Sequence, residues 1–409
     1  MTEPVDTETP PLVPVTEPRE GTPPVVTTRE GLERAARALA AGSGPVAADA
    51  ERASGYRYGQ RTYLVQLRRE GAGTILIDPI ATGELSAIDA ALEGTEWVLH
   101  AANQDLPGFH DLQMYPARLF DTELAARLLG RAKVGLGAII AEELGYSLAK
   151  EHSAADWSTR PLPEDWLRYA ALDVEFLVEL RERLGAALEE AGKLEWALQE
   201  FEAVRVAPDP APRVDPWRRT SGMHAVRGGQ GIAVVRELWQ ARDELARKRD
   251  RSPGRVLPDR AIVAAALALP RSEQALVALP EFAGKGTRRS SGYWWAAVER
   301  ALALPASEHP PRRAAGTTGT PPPPRSWPDK DPAAAARLDA VRTAVRALAE
   351  EHDVPQENLL SPAVQRQLAW TPPSVVDATS VREALEEQGA RPWQVELTLD
   401  ALTAALRTA

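Results

Sequence analysis

The sequence of 409 residues contains no cysteine. Disulfides and thiolate-bound metals are therefore excluded, and this composition is typical of a reducing cytosol. The longest uninterrupted apolar run, residues 261–269, is too short to cross a bilayer. The N-terminus is acidic and rich in Pro and Thr, without the basic and apolar segments of a secretory signal. We therefore expect a cytoplasmic protein that has no membrane partner.

Net charge is −10, but the charges are unevenly distributed. Residues 213–300 hold 17 Lys and Arg against 9 Asp and Glu, whereas residues 1–212 hold 20 against 35 and residues 329–409 hold 8 against 13. A basic segment between acidic ones predicts an electrostatic surface for nucleic acid. The alternative is that these basic residues are only the solvated faces of helices.

Hydrophobic periodicity divides the chain into three structured parts of the α/β + all-α class. We expect a disordered tail over residues 1–26, an α/β domain with a mixed central sheet over 27–206 and a linker over 207–214. A helical domain at 215–305, a Pro-rich linker at 306–331 and a second helical domain at 332–409 follow. The predicted strands are 46–51, 63–67, 74–78, 97–100 and 118–120. The predicted helices of the α/β domain are 85–92, 122–129, 136–144 and 164–191.

The two helical domains show a weak internal duplication. Residues 256–259 (Val-Leu-Pro-Asp) and 358–361 (Asn-Leu-Leu-Ser) each follow a long helix and precede an apolar one. Two small helical bundles are the simplest interpretation. Their predicted helices are 231–249, 259–268, 272–278 and 292–303 in the first, and 333–351, 361–369, 380–387 and 392–406 in the second.

Acidic residues at the ends of apolar segments are the candidates for chemistry. Asp49 and Glu51 are two apart in a predicted strand, so their carboxylates share a face. Tyr169 and Asp173 are four apart in a predicted helix and also share a face. Asp105 follows the strand at 97–100. Four carboxylates without His or Cys describe a site for hard divalent cations.

Each of these residues also has a purely structural interpretation. The pair Asp49 and Glu51 can end a strand in solvent, and Tyr169 can belong to the core. Asp105 can be the N-cap of a helix over 106–113. The specific feature is the combination of all three elements, in this order.

In this combination the chain resembles the ribonuclease D family, within the DEDD superfamily of 3′→5′ exonucleases whose third motif is Tyr-x-x-x-Asp. Asp49 and Glu51 match the first motif, Asp105 the second, and Tyr169 with Asp173 the third. Flanking segments that agree are 61–67 (RTYLVQL), 120–122 (FDT), 144–150 (LGYSLAK), 156–162 (DWSTRPL) and 169–174 (YAALDV). One departure is Ala50, where many relatives carry Thr, but its side chain is not a ligand.

The resemblance extends from residue 45 to about 200, and it implies a ribonuclease H-like fold. Residues 215–305 resemble the helicase-and-RNase-D C-terminal (HRDC) domain, and 332–408 resemble a second, more divergent copy.

The resemblance also implies a two-metal mechanism. Two Mg²⁺ or Mn²⁺ ions about 4 Å apart would be held by Asp49, Glu51, Asp105 and Asp173. Tyr169 would orient the attacking water or help to remove its proton. Hydrolysis of the last phosphodiester would then release nucleoside 5′-monophosphates from a 3′ end. His100 and Gln66 are candidate substrate contacts, although a structural role for His100 is the alternative.

The basic helical domain supplies the remaining substrate-binding candidates. They are Arg247, Lys248, Arg249, Lys285, Arg288 and Arg289. Phosphate neutralisation beside the aromatic residues Tyr293 and Trp294 suits single-stranded nucleic acid. At least one of Trp294 and Trp295 is expected to be a core residue instead.

We therefore predict a monomeric exoribonuclease acting on precursor tRNA or another structured RNA with a single-stranded 3′ end. One alternative is a 3′→5′ DNA exonuclease of the Werner-syndrome type, which shares the motifs. The other is a non-catalytic RNA-binding scaffold that kept the fold.

Overall fold

The computed structural model describes residues 11–148, 154–312 and 320–408. The chain forms two compact units: one comprises residues 1–51, 62–208 and 319–409, and the other comprises 52–61 and 209–318. In the described ranges, none of the helices combines the length and the apolar character that crossing a bilayer requires. Residues 1–10 of the predicted tail, residues 149–150 of one flanking segment and residues 313–319 of the second linker lie outside the described residues.

A mixed six-stranded sheet forms the centre of the first unit, as predicted. The strands are β1 (Val13–Val15), β2 (Val25–Val26), β3 (Ser43–Arg52), β4 (Thr62–Glu70), β5 (Gly73–Ile77), β6 (Glu96–Leu99), β7 (Arg118–Asp121) and β8 (Tyr146–Leu148). The six-stranded sheet has the order β2-β5-β4-β3-β6-β7, and β1 pairs with β8 separately. Strand β4 runs antiparallel to β5, whereas β3, β6 and β7 are parallel neighbours.

Strand β3 is central and buried on both faces over Val46–Ala48, as expected for a strand covered by helices on each side. In its register with β6, Val46 lies opposite Trp97 and Ala47 opposite Val98. Since the two strands are parallel, their carboxyl ends meet at one edge of the sheet. Asp49 and Glu51 lie at that edge, and the segment that leads to Asp105 leaves from it.

Helices flank this sheet. They are α1 (Arg29–Ala41), α2 (Pro79–Thr82), α3 (Ser86–Ala91), α4 (Leu106–Asp111), α5 (Thr122–Leu128), α6 (Leu136–Leu144), α7 (Glu164–Glu175), α8 (Leu177–Glu190) and α9 (Leu194–Arg205). The helix predicted over 164–191 is interrupted at Phe176, which has ψ near zero, is 1% exposed and packs against Tyr146 with ring centroids 4.9 Å apart. Burial of this ring accompanies the break between α7 and α8.

The predicted disordered tail is wrong for the part of it that the structure describes. Strand β1 pairs in parallel with β8, and β2 pairs in parallel with β5. Arg19 donates a hydrogen bond of 3.0 Å to Glu179. Both strands are at sheet edges, where proline such as Pro14 is tolerated. Their partners are far away in sequence, so composition alone did not indicate them.

The second unit is a helical bundle with a core of its own. Its helices are α10 (Gly229–Lys248), α11 (Pro253–Val256), α12 (Asp259–Ala268), α13 (Glu273–Val277), α14 (Lys285–Arg289) and α15 (Ser291–Ala303). Trp294 is fully buried in this core, and its indole N–H donates to the carbonyl of Thr287 at 3.1 Å. The prediction that at least one of Trp294 and Trp295 is a core residue is therefore confirmed.

The C-terminal helices belong to the first unit. They are α16 (Trp327–Lys330), α17 (Pro332–Glu351), α18 (Gln356–Leu359), α19 (Pro362–Trp370), α20 (Ala378–Glu387) and α21 (Pro392–Thr408). Helices α17 to α21 share one hydrophobic core with the sheet, whereas Trp327 of α16 packs in a smaller separate cluster. Trp393 stacks on Trp196 of α9 at 5.0 Å, and Glu200 accepts hydrogen bonds from Trp393 at 3.0 Å and Arg391 at 2.9 Å.

Candidate metal centre

Strand β3 contributes two carboxylates to one site. Asp49 and Glu51 are two residues apart, so they project from the same face. Asp49 is half-buried and Glu51 is 9% exposed. A strand buried on both faces is a costly place for two negative charges unless a cation or donors compensate them.

Helix α7 contributes the third carboxylate and a phenol. Tyr169 and Asp173 lie one turn apart, and the Tyr169 hydroxyl donates a hydrogen bond to Asp173. Oxygen atoms of Asp49, Glu51 and Asp173 lie within 4.8 Å of one another. The structure thus brings together four of the five residues predicted for the centre, from segments more than a hundred positions apart.

The electrostatics of this group disfavour its negative charge. Burial raises the pKa of Asp173 well above its usual range, the nearby Asp49 carboxylate adds to this rise, and the hydrogen bond from Tyr169 opposes it. Burial also raises the pKa of Tyr169, and so do the charges of Asp173 and Glu51. The phenol therefore stays protonated and acts as a donor. A divalent cation would offset the repulsion, and a set of carboxylate oxygens fits Mg²⁺ or Mn²⁺.

Asp105 lies at the start of α4 and is 6% exposed. It occupies the N-cap position, but its carboxylate makes no capping hydrogen bond, so capping does not explain its burial. The group of three carboxylates within 4.8 Å does not include it. Its role as a fourth ligand stays a prediction.

His100 follows β6 and is held by a neighbouring hydroxyl. Its Nδ1 lies 2.9 Å from Oγ1 of Thr122. Burial lowers the pKa of His100 to about 4, so the ring is neutral at physiological pH. This environment favours the structural alternative, and the substrate contact stays a prediction.

Gln66 does not fit its predicted role. It is 0% exposed in the middle of β4, between β5 and β3. Neither its side-chain oxygen nor its nitrogen has a hydrogen-bond partner among the described residues. A side chain enclosed in the sheet presents no surface to substrate, so the predicted substrate contact of Gln66 is wrong in this structure. The sequence could not indicate this, because strand alternation does not tell which face is covered.

The basic candidates lie in the helical unit and are exposed. Lys248, Lys285, Arg288 and Arg289 all point to solvent. Arg247 forms an ion pair of 2.9 Å with Asp243 and contacts the Tyr58 hydroxyl, and Arg249 donates to Ser290 at 3.2 Å. Part of this positive charge therefore serves the unit's own structure.

Two buried side chains of the flanking segments were not predicted as site residues. Trp157 is fully buried, and its ring centroid lies 6.4 Å from that of Tyr169. Asp121 ends β7, caps α5 and also bonds the backbone that follows β6. An Asp directly before a helical segment is a known N-cap pattern, but its second set of contacts has no signal in the sequence.

Three families of sequences match this chain. The family described as 3′-5′ exonuclease matches residues 23–189, the HRDC domain matches 232–298, and the family described as 3′ to 5′ exonuclease C-terminal domain matches 320–406. The ribonuclease D of Gluconacetobacter diazotrophicus is 31% identical over 328 residues, which cover 76% of this chain and 79% of the relative. The prediction that residues 332–409 form a second HRDC-like domain stays a prediction.

Solved structures agree with this relationship. A protein from Bifidobacterium adolescentis is 39% identical, with a TM-score of 0.87 over 97% of this chain and 100% of that chain. The RNase D of Escherichia coli, described as an exoribonuclease involved in structured RNA processing, is 26% identical, with a TM-score of 0.67 over 94% and 98%. The chain belongs to the ribonuclease D family and is a hydrolase of the exoribonuclease class, with a ribonuclease H-like 3′-5′ exonuclease domain and an HRDC domain.

Proposed function

We propose that this protein removes nucleoside 5′-monophosphates from RNA 3′ ends, with two divalent cations as cofactors. The observation that carries the proposal is the group formed by Asp49, Glu51 and Asp173, whose oxygens lie within 4.8 Å of one another. Tyr169 is hydrogen-bonded to the same group. In a chain of the ribonuclease D family, this group occupies the positions of the first and third exonuclease motifs.

The three carboxylates, together with Asp105 from the second motif, would hold the cations. Bound Mg²⁺ or Mn²⁺ supplies an activated water and stabilises charge on the leaving oxygen. Asp173 accepts the hydrogen bond of Tyr169, which fixes the phenol beside the carboxylates. The Tyr169 hydroxyl, which donates to Asp173, would orient the attacking water by accepting a hydrogen bond from it. Trp157 packs near the phenol and limits its movement.

The helical unit supports a nucleic acid as the substrate. Its exposed Lys and Arg residues can neutralise backbone phosphates, and the half-exposed Tyr293 can stack on a base. The similar RNase D of Escherichia coli is involved in structured RNA processing. We extend this role to the present chain and propose precursor tRNA, or another structured RNA with a single-stranded 3′ end, as substrate. We further propose that it acts as a monomer in the cytoplasm.

The test is digestion of a precursor tRNA and of matched RNA and DNA strands with Mg²⁺ or Mn²⁺, with products resolved at single-nucleotide level. The expected result is stepwise shortening from the 3′ end of RNA and release of nucleoside 5′-monophosphates. Faster hydrolysis of the DNA strand would favour the Werner-type alternative. Binding of RNA without release of any mononucleotide would favour the scaffold. Asp49→Asn is the matched control and is expected to be inactive but folded.

A further inference from the structure

One buried carboxylate organises the backbone that leads to the second exonuclease motif. Asp121 is 1% exposed at the end of β7. It accepts hydrogen bonds from the backbone N–H groups of Ala101 at 3.0 Å and Ala102 at 2.8 Å. It also accepts those of Glu123 at 2.9 Å and Leu124 at 3.2 Å, in the first turn of α5. Helix capping accounts for two of these four donors, Glu123 and Leu124. The other two belong to the segment that follows β6.

The turn at Ala101 depends on those contacts. Ala101 has a φ of +59°, in the left-handed region that residues with a Cβ seldom adopt. Ala101 is 6% exposed and Ala102 is 0% exposed, so water does not replace a lost partner easily and an unpaired N–H would be costly. The Asp121 carboxylate thus stabilises a conformation that the local sequence does not favour.

The same turn fixes the backbone of Asp105. The carbonyl of Ala102 accepts the N–H of Asp105 at 3.1 Å, and the carbonyl of Ala101 accepts the N–H of Gln104 at 2.9 Å. The N–H groups of these two alanines point to Asp121, whereas their carbonyls bind the residues that form the second motif. A displacement of this turn would therefore also displace the backbone of Asp105.

We propose that Asp121 is a positioning residue for the metal centre, which holds the turn at residues 101–104 in the conformation that presents Asp105 to the cations. This inference rests on the proposed function, because it takes Asp105 as a ligand. Thr122 adds a further hydrogen bond between the ends of β7 and β6, since its hydroxyl donates to the carbonyl of Leu99 at 3.2 Å. Burial raises the pKa of Asp121 to about 6, and the four N–H donors counteract this rise. They therefore keep the carboxylate charged at neutral pH.

The test measures Mn²⁺ affinity directly, by electron paramagnetic resonance of free Mn²⁺ during titration of the full-length protein. Asp121→Asn replaces one acceptor oxygen by an amide that cannot accept. Asp121→Ser keeps a hydroxyl that can cap α5, but its side chain is too short to reach both alanines. Each variant is expected to bind Mn²⁺ at least about tenfold more weakly, as is typical when a residue that orients a metal ligand is replaced. The serine variant also serves if the asparagine variant does not fold.

A double-mutant cycle separates positioning from general destabilisation. In the Asp105→Asn background, Asp121→Ser is expected to cause no further loss of Mn²⁺ affinity, because the residue that it positions no longer binds. Asp377→Asn is the matched control, because Asp377 is also a helix cap: its side chain accepts the N–H of Ser380 at 2.9 Å at the start of α20. This substitution should leave the Mn²⁺ affinity unchanged.

Two results would overturn the positioning role. One is unchanged Mn²⁺ affinity in a folded Asp121 variant with a lower melting temperature. The other is an equal loss of affinity in both backgrounds. If Asp105→Asn alone changes neither Mn²⁺ binding nor hydrolysis, Asp105 is not a ligand. That result refutes both this inference and the fourth ligand of the proposed function, but it leaves the group of three carboxylates in place.

Discussion

Replacing Asp173 by asparagine should stabilise the protein in a chelator while it abolishes hydrolysis. Three carboxylates whose oxygens lie within 4.8 Å repel one another. At that distance and an effective dielectric constant of 20, two full charges repel by about 3.5 kcal/mol. Partial protonation of Asp173, whose pKa is raised, relieves some of this energy. We therefore expect Asp173→Asn to increase the free energy of unfolding by roughly 1–3 kcal/mol in a chelator.

The pH dependence gives this prediction a sign. The pKa of Asp173 in the folded protein lies above its ordinary value of 3.8. The folded state therefore keeps the proton over a range where the unfolded chain has released it. The stabilisation is fully present below about pH 3.8 and is lost as the pH rises through the raised pKa. Asp173→Asn removes this loss. The pKa of Asp121 is also raised, so in both proteins Asp121 makes the free energy of unfolding fall as the pH rises.

The assay is urea unfolding of both proteins at several pH values between 5 and 8, in a chelator and again with Mn²⁺. In the chelator the variant should be more stable, and its advantage should grow as the pH rises. With Mn²⁺ the wild-type protein should gain stability and the variant should gain much less, because ligand binding stabilises the folded state. If Asp173→Asn is instead destabilised in the chelator at every pH, the carboxylates do not repel one another as the structure indicates.

Four further predictions concern separate features. Tyr169→Phe should slow hydrolysis on the order of 100-fold with unchanged Mn²⁺ affinity in a titration, and an unchanged rate would remove its role. The wild-type protein should lose thermal stability as the pH falls from 6.5 towards 4, because the lowered pKa of His100 makes its protonated form unfavourable in the folded state. His100→Gln should reduce this loss, which is measured as the difference between the melting temperatures at pH 7 and pH 5. Replacing Lys285, Arg288 and Arg289 by glutamine should weaken RNA binding. The slope of the logarithm of the binding constant against the logarithm of the salt concentration should become less steep by about one per lost phosphate contact. Arg382→Gln and Arg407→Gln in the acidic helical segment are the controls and should leave RNA binding unchanged. Trp393→Ala should cost about 3–5 kcal/mol in urea unfolding, since the indole is 1% exposed and bonds Glu200, and an unchanged midpoint would contradict a shared core.

The catalytic half of the chain was largely predictable because its signals are local. Alternation and apolar runs indicated β3 to β7, and the spacing of two and four residues indicated which side chains share a face. Helix α1 was missed, although Thr28 accepts the N–H of Gly31 at 3.1 Å as its cap and Leu32, Ala35 and Leu39 form its buried face. That pattern was present in the sequence.

The features that were missed depend on distant contacts. Strand β1 exists because β8 offers it a partner, and no local pattern carries that information. The burial of Gln66 and the four donors of Asp121 likewise follow from how strands are ordered in the sheet. Residues 52–61 belong with the helical unit for the same reason: Tyr58 bonds Asp243 at 3.1 Å, and Gly55 accepts from Arg255 at 2.7 Å. Tertiary pairing, and not propensity, decided each of these.

The most direct test is a calorimetric titration of the protein with Mn²⁺ in the presence of a 3′-hydroxyl RNA that resists hydrolysis. The proposed centre predicts two Mn²⁺ per chain for the wild-type protein and loss of this binding in Asp49→Asn, since Asp49 is one of the three grouped carboxylates that would hold the cations. Equal Mn²⁺ binding by the two proteins, or none by either, would contradict a metal centre built on these carboxylates.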